Sequence, residues 1–232
     1  MLGVFRHEPE HLKECRTRMF DALADYPVYE PPYHQGPNHP SSLLNKGKEE
    51  HFKSFRNFSM HGRDNFSYFM EQRHARLAAL GAFLAKFAVK MDIDDNGLAS
   101  VSAWCPQNCG ALVADLRTDA VRQAFLQMSE PWEGRRCGFN VIFDIGVFLG
   151  ECVIARNKRL NWEYRPGASY DGRTDRSGYG IVGFRNNREW LDPMQYVYDA
   201  CLEAEDDLLR GRVGRYLRTD TLADLVRDLS TS

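Results

Sequence analysis

The stretch from Gly138 to Ala155, GFNVIFDIGVFLGECVIA, constrains this chain more than any other. It is the longest apolar run and approaches the length needed to cross a membrane, yet Asp144 and Glu151 sit inside it. Two carboxylates make insertion into lipid unfavourable. The run therefore predicts a helix buried in the core of a soluble protein, and no membrane association is expected. At 100° per residue, Asp144, Phe148 and Glu151 fall within about 60° of one another, while Gly146 and Gly150 lie on the far side. The helix carries a narrow carboxylate strip and, opposite, a glycine groove that admits another backbone.

A buried carboxylate is costly unless paired. One reading satisfies Asp144 and Glu151 with arginines such as Arg156, Arg159 or Arg165, or with backbone N–H groups. The other lets them line a ligand pocket with Trp162 and Tyr164, which follow on a predicted strand. Their axial separation of ~10 Å suits separate contacts to a ligand better than a shared proton.

The second unusual stretch is PVYEPPYHQGPNHP, Pro27 to Pro40, which holds half of the ten prolines. It predicts a non-helical loop, partly polyproline II, that packs over the domain or touches a partner. Tyr29, Tyr33 and His34 are its candidate partner contacts.

Around these features the periodicity predicts helices over 10–26 and 48–91, the latter with a break near Gly62. Asp92 to Gly97 predicts a turn. LASVSAWC and ALVADL read as two strands around CPQNCG. Thr118 caps a helix through Met128. Strands at 160–165 and 179–185 follow the apolar helix, separated by a polar loop. Asp192–Pro193 opens another helix, and Thr219 or Thr221 caps the last. The fold class is α+β, mostly helical, with a small antiparallel sheet of about four short strands. A single globular domain over 1–232 is expected.

Four motifs match on paper and fail on context. His7-Glu-Pro-Glu-His11 has the letters of a zinc-protease helix, but Pro9 between the histidines forces a helix start. Gly178-x-Gly180-x-x-Gly183 runs into a strand, whereas a dinucleotide fingerprint must open a helix. Asp92-x-Asp94-x-Asn96-Gly97 begins like a calcium loop, but Ala103 stands where its bidentate Glu belongs. Cys105 and Cys109 lack the second pair that structural zinc needs. No metal and no cofactor is expected.

With 30 Lys and Arg against 32 Asp and Glu, the net charge is −2. That argues against general nucleic-acid binding. The aromatic-cation mixture FKSFRNF (52–58) has helical spacing and reads as core packing. Asp199, Glu203, Glu205, Asp206 and Asp207 form an acidic helical patch that reads as a solvated face. The charged N-terminus lacks the apolar segment of a secretory signal, and six cysteines read as reduced thiols, so the expectation is cytoplasmic. An excess of Arg over Lys, 23 to 7, fits a bacterial GC-rich genome. These readings together lean away from an enzyme. They favour a non-catalytic, partner-binding module, immunity-like or regulatory. The alternative is a small-molecule-binding protein or hydrolase that uses the buried carboxylate pair.

Overall fold

A computed structural model describes residues 8–33, 48–126, 128, 131–165, 178–184, 190–212, 222–223 and 226–227, with side chains omitted at 48–60 and 165. Among the described residues the fold is carried by helices α1 (Glu10–Ala22), α2 (Lys48–Ala85), α3 (Asp95–Asn108), α4 (Asp119–Leu126), α5 (Gly138–Arg156) and α6 (Pro193–Leu209). Two strands, β1 (Asn161–Arg165) and β2 (Gly178–Val182), pair antiparallel with Trp162 opposite Ile181 and Tyr164 opposite Tyr179. Leu191 adds one bridge to Ile181, through reciprocal backbone bonds of 2.8 and 3.0 Å. The class is α+β, mostly helical.

The sheet among the described residues has two strands, where four were expected. LASVSAWC is not a strand. It forms most of α3, and CPQNCG, read as the turn between two strands, completes the helix and enters a short 3-10 turn at Cys109–Ala111. The reason lies just upstream. The Asp94 carboxylate accepts from Gly97 N at 2.8 Å, capping the helix, and the Asp94 carbonyl accepts from Leu98 N at 3.0 Å. Leu98, Val101, Trp104, Cys105 and Asn108 then share a buried face at helical spacing. A short apolar run does not distinguish strand from buried helix, and here the cap decides. The same cap accounts for the half calcium loop: Asp92 pairs with Lys90 at 2.8 Å, and Asp95 bonds Arg156.

Nor does α2 break at Gly62. The helix runs unbroken from Lys48 to Ala85 and ends well short of 91, with Ala88 at φ 58°. An ideal Cβ on Gly62 would lie 1.8 Å from the Tyr164 phenol oxygen, so this glycine is a slot for β1 and not a kink. Ala78, Ala82, Ala85 and Ala88 face solvent.

The centre of the molecule is α5, fifteen of whose nineteen residues are buried. It is apolar and long enough by composition to cross a membrane, but here its surroundings are protein. The expected glycine groove is occupied. A Cβ on Gly146 would meet the Met194 backbone of α6 at 2.7 Å, and one on Gly150 would meet the Trp162 indole at 2.1 Å. Gly150→Ala is therefore expected to destabilise by about 1–3 kcal/mol, because the indole must leave its seat. Gly81→Ala is the control: its Cβ would touch only Met91 Cε, at 3.7 Å. With that room, the change at this half-buried position is expected to be neutral or to stabilise by up to about 1 kcal/mol. Urea unfolding of both variants checks the pair, and equal midpoints would remove the packing argument.

The buried apolar side chains join in one cluster that gathers all six named helices, both strands and the turn residues between them. It includes Leu222 and Val226 from the expected last helix; most of that segment lies outside the described residues.

Candidate functional site

Asp144 is fully buried in the middle of α5. Two groups from distant elements close it. Arg76 of α2 donates from Nε to Oδ1 at 2.9 Å and lies with Nη2 2.7 Å from Oδ2. The Tyr26 phenol donates to Oδ2 at 2.6 Å. Arg76 also donates from Nη1 to the Pro27 carbonyl at 2.6 Å, and its guanidinium lies 5.5 Å from the Tyr26 ring centroid and 5.9 Å from that of Tyr29. Every one of these partners lies far from Asp144 in the sequence.

Glu151 sits two turns further along the same strip and is held separately. Trp162 Nε1 donates to its Oε1 at 2.8 Å, and Arg73 Nε lies 3.3 Å from the same oxygen. The arginines are thus Arg76 and Arg73, one turn apart on α2. Among those considered from sequence, Arg156 instead bonds the Cys152 carbonyl and Asp95, Arg159 is exposed, and the side chain of Arg165 lies outside the described part. Tyr164 does not join the carboxylates. Its phenol enters the Gly62 slot, and its ring packs 6.4 Å from Phe66.

Burial is the largest influence on Asp144 and pushes its carboxyl up to about 6 from an ordinary 3.8; Arg76 and the Tyr26 bond pull it down without cancelling that rise. The folded state therefore holds this proton more tightly than the unfolded chain does. The stability linked to it is fully present below the ordinary value and is lost as pH rises through about 6. Relative to Asp144→Asn, the native protein is expected to gain on the order of 2 kcal/mol between pH 7 and pH 4.5. Chemical denaturation at both pH values measures this, and parallel pH profiles for the two proteins would exclude it.

The Pro/Tyr stretch and the carboxylate strip prove to be one assembly over its described part, 27–33. Tyr29 N donates to the Asn140 side chain at 2.7 Å, one turn before Asp144 on α5. Asn140 in turn donates to the Trp132 and Cys137 carbonyls at 2.8 and 2.9 Å. The Tyr29 ring stacks on Phe143 at 4.6 Å and flanks Tyr68 and Trp132. Only 2% exposed, Tyr29 is a core residue and offers no free surface to a partner. Tyr33 differs. It is 39% exposed, its ring lies 4.0 Å from His61 at an interplanar angle of 7°, and its backbone is gripped from both sides by Asn65. His34 lies outside the described residues.

Sequence reasoning missed Tyr26, Asn65, Arg73, Arg76 and Asn140. A signal for Arg76 was present. Phe69, Arg76 and Phe83 are seven apart, and all three are buried, so the arginine occupies an apolar stripe. Asn140 stands inside the apolar run itself and is fully buried.

The remaining motifs have structural partners. His11 Nε2 lies 2.7 Å from the Leu208 carbonyl, and Pro9 precedes α1 directly; His7 is outside the described residues. Gly180 lies within β2 under the Trp190 indole, which a Cβ would meet at 1.5 Å. Glu205, expected on a solvated face, is buried. It accepts from Asp115 N at 2.9 Å, Leu116 N at 3.0 Å and Arg16 Nη2 at 2.7 Å, and holds Asp115 at φ 60°. Burial is the main cause that pushes its carboxyl upward.

No family model matches the chain, and comparison with curated proteins and with solved structures gives no significant match.

Proposed function

We propose that this protein is a non-catalytic module that binds a protein partner, in an immunity-like or regulatory role, with Tyr33 as a contact. The observation that carries the reading is the contrast between Tyr33 and the carboxylates. Tyr33 stands at the surface, stacked on His61, with its backbone already immobilised by Asn65. An aromatic side chain presented at low further entropy cost is the usual anchor of a protein interface. A hydrolase built on Asp144 and Glu151 needs both open to one space. Each is instead closed by its own arginine and aromatic donor, so the geometry lends that alternative no support.

Purification of the native complex from the source cell tests the proposal. A stoichiometric protein partner whose binding Tyr33→Ala weakens at least tenfold, with folding intact, supports it. A monomer whose melting temperature rises with a metabolite, and which retains no partner, overturns it.

A further inference from the structure

The stretch from Tyr26 to Tyr33 is attached to the body of the protein in an unusual way. Its ties are made by side chains. The Tyr26 phenol is held by Asp144, the Pro27 carbonyl by Arg76, Tyr29 N by Asn140, and Tyr33 N and O by Asn65. Among the described residues its backbone makes one bond to other backbone, from Tyr26 N to the neighbouring Leu23 carbonyl at 2.9 Å. Three of its eight residues, Pro27, Pro31 and Pro32, have no N–H to contribute. The segment can therefore leave without breaking any helix or strand ladder, and that is the physical condition for opening below the cost of global unfolding. Two of its ties converge on the Arg76–Asp144 pair, whose members gain access to water when it leaves.

We infer that residues 26–33 form a strap, latched by Arg76 and Asp144, that opens as one unit while α2 and α5 stay packed and uncovers the trough of Tyr68, Trp132 and Phe143 that Tyr29 fills. The latch is a positioning device, and the inference does not rest on the proposed partner.

Native-state hydrogen exchange on the full chain, under low denaturant, tests it. The Tyr29 and Tyr33 amides are expected to exchange at least about tenfold faster than the Phe143 amide in α5, with a smaller dependence on denaturant. Asp144→Asn is expected to speed the strap amides by about tenfold more than it speeds Phe143. Strap amides that share the rate and denaturant dependence of Phe143 would overturn the inference. Equal acceleration of both in the variant would remove Asp144 from the latch. Should Asp144→Asn not fold, the native protein decides alone.

Discussion

Asp144→Leu is expected to destabilise the protein by about 3–5 kcal/mol, and Arg76→Met introduced with it to restore most of that loss. The asymmetry follows from the geometry of the pair. Arg76 is 5% exposed and cannot shed its charge, so loss of Asp144 leaves a buried cation with only the Pro27 carbonyl and two aromatic faces. The double variant removes the cation as well, and a linear apolar side chain fills the space. Recovery is expected to be incomplete, because the Tyr26 phenol and the Pro27 carbonyl lose their partners. A double-mutant cycle by urea unfolding should give a coupling of about 2 kcal/mol or more. Costs that add within about 0.5 kcal/mol would mean that the two groups do not act as a pair.

Tyr29→Ala and Tyr33→Ala should separate just as widely. Tyr29 is enclosed by Phe143, Tyr68 and Trp132 and by the Arg76 guanidinium, so its truncation is expected to cost about 3–5 kcal/mol. Tyr33 keeps its backbone bonds to Asn65 when its ring is removed, and the ring's stack on His61 is at the surface. Its truncation is expected to change stability by less than about 1 kcal/mol. Thermal and urea denaturation of the two variants check this. Equal losses would show that Tyr33 is as structural as Tyr29 and would leave the proposed contact without a basis. Four residues apart in one Tyr/Pro motif, the two tyrosines are indistinguishable by composition; depth alone separates them.

Helix boundaries were legible where a strong local signal stood at the end. Asp192 caps α6 by accepting from Gln195 N at 2.9 Å, ahead of Pro193 in the first turn, and Thr118 Oγ1 accepts from Val121 N at 3.4 Å ahead of α4. The extent of α5 was legible because so long an apolar run has few other solutions. The strand at 160–165 was legible from alternation, and β1–β2 pair as two neighbouring strands do. The segment 98–105 was not. Its apolar residues fit either period over so short a distance, and the capping role of Asp94 was obscured by its likeness to a calcium ligand. Gly62 carries a related ambiguity. A glycine in a helix signals weakness locally, whereas its purpose here is a contact with Tyr164, about a hundred residues away.

The amino-acid sequence by itself determined that a core helix would carry two carboxylates, that these would need partners, and that a Pro/Tyr stretch near the N-terminus could not be helical. Those conclusions follow from solvation and backbone sterics, which act residue by residue. Only the tertiary structure decided that the two features are one. The charge of Asp144 is answered from 68 and 118 residues away by Arg76 and Tyr26, and Tyr26 begins the strap. Desolvation tells which group must be paired and is silent about the partner, because partners are chosen by which side chains three-dimensional packing brings within hydrogen-bond reach.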